Sequence, residues 1–191
     1  MHETVWLGRG GQGAFTAARL LGVAAMLYGK QAMAMPSFGP ERRGAPVFAY
    51  TRIDDAKVYD RSTVREADVA VVLDEPLLNQ VPTGFLTPKT LLILDSDNEE
   101  ATLAKPLGGR VIPVVRIPAR RIAREIMGSE HTNSVLFGAL IGLTGVVSQA
   151  AAEEGIRREL GTGSKGVKNL EAFRYAYSYG IERAKQGAAH V

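Results

Sequence analysis

The segment Gly8-Arg9-Gly10-Gly11-Gln12-Gly13 constrains this chain more than any other. It directly follows the apolar, β-type run Thr4-Val5-Trp6-Leu7. Behind it comes a helical pattern with Phe15, Ala18, Leu21, Ala25 and Tyr28 at spacings of three and four, closed by Gly29. The expected helix runs from about Gln12 to Tyr28. A glycine-rich turn between a strand and a helix bares backbone N–H groups at the positive end of a helix dipole, so it suits a phosphate or another anion.

The pattern Gly8-x-Gly10-x-x-Gly13 also satisfies the dinucleotide-binding fingerprint. That fingerprint expects an acidic residue at the tip of the second strand, to take the ribose hydroxyls. Here the second strand, Gln31 to Met35, runs into Pro36-Ser37, and the first acids downstream are Glu41 and Asp54. NAD binding is therefore disfavoured. A turn whose glycines serve only tight packing is the bland alternative.

The rest of the chain alternates short apolar runs with helical segments. Strands are expected at Val47 to Ile53, Ala67 to Leu73, Thr90 to Leu94 and Val111 to Val115, with a short helix at Glu75 to Gln80 and a basic one around Ala119 to Met127. Continuous apolar strands of this kind imply an α/β fold, a mainly parallel, Rossmann-like sheet with helices on both faces. The last third is expected to be a helical flank. One helix, capped by Asn133 or Ser134, runs through Val147; another spans Gln149 to Leu160. The last carries Val167, Leu170, Phe173, Tyr177 and Ile181 on one face. A length of 191 residues favours a single domain over 1–191.

Composition narrows the function. The net charge of +3 is too mild to argue for nucleic acid or a membrane surface. With no cysteine, the chain has no thiol nucleophile and no cysteine-ligated zinc or iron–sulfur centre. His2, His131 and His190 lack partners at metal-ligand spacing, so no metal site is expected. Asp95 and Asp97 end a strand and suit capping or turn formation rather than catalysis. Arg116, Arg120, Arg121 and Arg124 are expected to stripe a helix as a solvated face or a subunit contact. No catalytic residue is assigned. The amino-terminal residues lack the layout of a signal peptide, which makes the cytoplasm the expected location.

A second unusual segment, Pro36-Ser37-Phe38-Gly39-Pro40-Glu41-Arg42-Arg43-Gly44-Ala45-Pro46, has too many breakers for a regular element. Its paired arginines present planar forks that match phosphate oxygens, on a loop expected near the carboxyl edge of the sheet. Arg42 and Arg43 could equally be solvated, or pair with Glu41 and a carboxylate of another subunit.

Taken together, the two segments resemble the gamma subunit of 2-oxoacid:acceptor oxidoreductases of the pyruvate:ferredoxin type. The resemblance covers nearly the whole chain, including Asn133 and the apolar helix behind it. Related indolepyruvate-type subunits share the glycine turn but not the Ser37-Phe38-Gly39-Pro40-Glu41 wording. The resemblance implies a subunit of a multi-chain enzyme that decarboxylates a 2-oxoacid, such as pyruvate or an aryl-glyoxylate, on thiamine diphosphate. The adduct is oxidised through [4Fe-4S] clusters and the acyl group passes to coenzyme A. It further implies that thiamine diphosphate and the clusters sit in alpha, beta and delta-type partners, with ferredoxin or a flavin subunit as onward acceptor. The gamma chain then contributes to the coenzyme A site, through Gly8, Gly10, Gly11, Gln12 and Gly13 with Arg42 and Arg43, and is inactive alone. A free-standing NAD-dependent dehydrogenase and a structural adaptor that binds nothing are the alternatives.

Overall fold

The computed structural model describes residues 1–37, 44–98 and 112–188. Six strands form one sheet: β1 His2–Arg9, β2 Gln31–Pro36, β3 Pro46–Asp54, β4 Val69–Val72, β5 Leu91–Asp95 and β6 Val114–Ile117. Their order is β2-β3-β1-β4-β5-β6. The four strands β1, β4, β5 and β6 are mutually parallel, while β3 runs antiparallel to both β1 and β2. The α/β fold with a mostly parallel sheet is thus present.

Alternation along each strand sends side chains to two cores. Trp6, Val69, Val71 and Ile93 face the layer built by the α-helices. Val5, Leu7, Ala70, Val72, Leu92 and Leu94 face the opposite side. The first layer holds α1 Ala14–Leu27, α2 Ala119–Met127, α3 Asn133–Thr144, α4 Gln149–Leu160 and α5 Ser164–Ala188. The second is covered by two 3₁₀ helices, Glu75–Gln80 and Thr83–Phe85, and by residues such as Val64 and Ala67. Pro76, Pro82 and Pro88 interrupt this connection; each removes an amide donor, so only short turns form.

Several boundaries differ from the sequence expectation. Helix α1 starts at Ala14, because Gly13 sits at φ +84° and ψ +29° and cannot join the right-handed helix. Helix α3 starts after Thr132, so Asn133 and Ser134 lie inside it rather than capping it, and Gly145 at φ +62° ends it before Val147. Arg116 belongs to β6, not to the α2 stripe. On α5 the packed face is Ala172, Phe173 and Ala176, whereas Val167 is 58% exposed. Helix α4 is as expected, and Ser148 caps it by accepting the Ala151 amide at 3.3 Å.

Candidate functional site at the carboxyl edge of the sheet

After Arg9 the chain must leave β1 and fold back over the sheet into α1. Gly11 at φ +97° and Gly13 at φ +84° make that reversal, in a region that costs an ordinary residue about 1–2 kcal/mol. The turn is built by its own polar groups. The Gln12 amide donates to the Arg9 carbonyl at 2.9 Å, and the Gln12 Oε1 accepts from the Arg9 amide at 2.6 Å. Gly10 donates to the Ala45 carbonyl at 2.8 Å. The Gly10 and Gln12 amides therefore shape the turn, while those of Gly11 and Gly13 find no acceptor among the described residues. Among the described residues no side chain caps α1, and no acid stands in its first turn, so nothing described there covers its positive dipole end. Gly8 has a packing role: a side chain there would meet Ala14 and Leu73 at 3.4 Å.

The second segment is joined to this turn. Ser37 donates to the Phe48 carbonyl at 2.8 Å, and Pro46 pairs with Arg9 in the ladder between β1 and β3. Arg9 Nη1 also donates to the Gly44 carbonyl at 3.4 Å. Both described ends of the loop thus sit at the carboxyl edge of β1. Arg42 and Arg43 themselves lie outside the described residues.

A network of charges that sequence reasoning missed stiffens the same edge. Arg9 Nε bonds Asp74 at 2.5 Å, Asp74 bonds Arg120 at 3.1 Å, and the Arg120 guanidinium lies 3.8 Å from Asp95. Asp95 Oδ1 also accepts the Arg120 amide at 3.1 Å, at the start of α2, in keeping with its expected capping role. Burial pushes the Asp95 carboxyl up to about 6, against the pull of that amide and of the guanidinium. The signal for Asp74 was its position just past a strand. The acid test for NAD was applied to the tip of β2, yet β3 separates β2 from β1. The parallel neighbour of β1 is β4, and its tip acid, Asp74, is already engaged by Arg9 and Arg120.

Helix α3 brings one further residue to the turn. A side chain at Gly13 would approach the Asn133 Nδ2 to 3.0 Å, so the Asn133 carboxamide packs directly on the glycine. Two cavities open nearby. One of about 640 Å³ is lined by Met33, Met35, Ser37, Tyr50 and Arg61, beside the stem of β2 and β3. The other, of about 350 Å³, lies behind Asn133. No cluster of three potential metal-ligating residues occurs among the described residues.

The model of the family described as pyruvate ferredoxin/flavodoxin oxidoreductase matches residues 3–179. The chain belongs to that family. It is 40% identical over 178 residues to a pyruvate/ketoisovalerate oxidoreductase common subunit gamma of Thermococcus litoralis, covering 93% of this chain and 96% of the relative. A pyruvate synthase subunit PorC of Methanothermobacter thermautotrophicus is 42% identical over 178 residues, covering 93% and 94%. The crystal structure of the pyruvate oxidoreductase subunit PORC from Thermotoga maritima superposes with a TM-score of 0.80 at 30% identity, covering 93% and 95%. A 2-oxoglutarate:ferredoxin oxidoreductase from Magnetococcus marinus shares the fold, with a TM-score of 0.76 at 21% identity, over 95% of this chain and 31% of that one. As a gamma-type subunit of the pyruvate ferredoxin/flavodoxin oxidoreductase family, the chain is one component of an oxidoreductase complex. Since it contains no cysteine, any cysteine-ligated cluster of such a complex is held by other chains. No helix among the described residues is long and apolar enough to cross a membrane.

Proposed function

We propose that this chain acts as one gamma-type domain in a cytoplasmic 2-oxoacid oxidoreductase and supplies part of its coenzyme A site. Thiamine diphosphate held between alpha and beta-type chains would supply the decarboxylation of the 2-oxoacid, pyruvate or an aryl-glyoxylate. The [4Fe-4S] clusters of the beta and delta-type chains would supply the electron route to ferredoxin or a flavin subunit. This chain's own residues bind and orient the thiol carrier. The free amides of Gly11 and Gly13 and the α1 dipole face its diphosphate, and Arg42 and Arg43 supply the countercharge. Gly8, Gly10 and Gln12 hold the turn in shape.

The observation that carries this reading is the Gly10–Ala45 hydrogen bond of 2.8 Å, which ties the bare turn to the stem of the arginine loop. The structure of the Magnetococcus marinus enzyme holds coenzyme A, a support at the level of the shared fold. The test is the Arg42→Ala/Arg43→Ala variant in the assembled complex. Each charge-assisted contact contributes about 1.5–3 kcal/mol, so the KM for coenzyme A should rise at least tenfold. Reduction of an artificial acceptor without coenzyme A should be unaffected. An unaltered apparent affinity for coenzyme A defeats the assignment. The chain alone should show no turnover.

A further inference from the structure

The cavity behind Asn133 lies between the end of α2, the start of α3, the end of α4 and the start of α5. Its polar lining comprises Ser129, His131, Asn133, Lys165, Lys168 and Asn169, with no carboxylate among the described lining residues. Lys165 and Lys168 make no ion pair among the described residues. They stand in the opening turns of α5, where the helix dipole disfavours a cation and an anion would relieve both. Helix α3 adds a second bare end, since Thr132 gives it no side-chain cap and its first turn holds no acid. Asn169 is locked in place, accepting from the Ser134 hydroxyl at 2.7 Å and donating to the Lys165 carbonyl at 2.8 Å.

Asn133 supplies an independent sign of a ligand. It is only 9% exposed, lines the cavity, and its buried Oδ1 has no hydrogen-bond partner among the described residues. An acceptor left unsatisfied in this way is costly, and a hydroxyl of an incoming phosphomonoester, on its sugar or on a monoprotonated phosphate, would satisfy it. The volume of about 350 Å³ corresponds to roughly a dozen waters, more than one inorganic phosphate requires. Met127 and Leu160 give the cavity an apolar side for a sugar or base.

We propose that this cavity is a phosphomonoester site with Lys165 and Lys168 as its cationic ligands, sharing Asn133 as a wall with the glycine turn. In coenzyme A the 3′-phosphate and the 5′-diphosphate leave the same ribose, which suits two sites separated by one residue. The site stands without the coenzyme A reading. Only its assignment to the 3′-phosphate of that carrier rests on it.

The test is calorimetric titration of the full chain with 3′-AMP, inorganic phosphate, coenzyme A and dephospho-coenzyme A at fixed ionic strength. The Lys165→Gln/Lys168→Gln variant should weaken 3′-AMP binding at least tenfold, and Lys165→Arg/Lys168→Arg should keep most of it. Both lysines are exposed, so circular dichroism of either variant should match the parent. Arg42→Ala/Arg43→Ala should leave 3′-AMP binding unchanged, which separates this site from the proposed diphosphate site. A tenfold preference for coenzyme A over dephospho-coenzyme A, lost in the glutamine variant, assigns the site to the carrier. Equal binding of those two, with 3′-AMP or phosphate binding still lysine-dependent, assigns it to a free phosphate compound. No 3′-AMP binding by the intact chain, or binding indifferent to both lysines, overturns the proposal.

Discussion

Replacing Gly180 by Ala sets two effects of opposite sign against each other. Gly180 lies inside α5, where Ala is the better helix former by about 0.8–1 kcal/mol. Yet a Cβ at this position would stand 2.6 Å from the Ala139 carbonyl oxygen and 3.2 Å from the Leu143 amide nitrogen of α3. Ordinary close C···O contacts between helices are about 3.3–3.6 Å, so the two backbones must part by roughly 0.7 Å or more. Both neighbours are main chain and cannot rotate aside. A gap of that size forfeits a quarter to a half of each van der Waals contact along the seam, and overpacking of this kind costs about 1–3 kcal/mol. Gly138 and Gly142 of α3 make similarly close approaches to the backbone of Phe173 and Tyr177, so the whole crossing depends on missing side chains. The net expectation for Gly180→Ala is a loss of up to about 2 kcal/mol, or up to roughly 8 °C in Tm. Urea unfolding followed by the fluorescence of Trp6, the sole tryptophan, measures it. Gly155→Ala in α4 is the control. There the nearest atoms, Ala24 N and Leu20 O, lie at 3.4 and 3.5 Å, so the variant should gain up to about 1 kcal/mol. A Gly180→Ala protein more stable than the parent, like the control, would refute the close crossing.

Two further outcomes follow from buried polar groups. Asp95 has a folded-state pKa of about 6 against an ordinary 3.8, so the folded state holds its proton more tightly. Its contribution is most favourable below pH 3.8 and is lost as pH rises through 6, where the buried charge costs at most about 3 kcal/mol. Asp95→Asn keeps an acceptor for the Arg120 amide. It should flatten the fall in stability between pH 4 and 6 and be at least as stable as the parent at pH 7.5; identical slopes in both proteins would disprove the effect. Thr51 Oγ1 accepts from Trp6 Nε1 at 3.2 Å and donates to the Ala18 carbonyl at 2.9 Å, in a fully buried setting. Thr51→Val leaves the indole N–H without an acceptor and should cost about 1–3 kcal/mol in urea unfolding, whereas an unchanged midpoint rules that out.

Much of the candidate site was legible before any coordinates, because it depends on local chemistry. Glycines at 11 and 13 are required by positive φ, and a strand followed by such a turn leads into a helix with a bare end. The element at 119–127 was legible from its basic residues and that at 149–160 from its amphipathic pattern, whereas the Ser148 cap emerged only in the structure. What escaped were relations between distant segments. Asp74 directly follows the strand expected at Ala67 to Leu73, and only the order of β3, β1 and β4 places it against Arg9 and Arg120. Asn133 looked like a helix cap, yet its carboxamide rests on Gly13 and walls a cationic cavity. Val167 fitted the apolar stripe of α5, but the inward face follows the small residues that let α3 approach.

The amino-acid sequence by itself determined the class of fold, the anion-suited turn and the membership of an oxidoreductase family. Each of these resides in residues adjacent along the chain, where periodicity, glycine and proline act directly on the backbone. The tertiary structure alone decided that β3 inserts between β1 and β2, and that this brings the stem of the arginine loop onto the glycine turn. It also decided which polar groups the turn leaves free. Those outcomes depend on hydrogen bonding and packing between segments tens of residues apart, which no local pattern encodes.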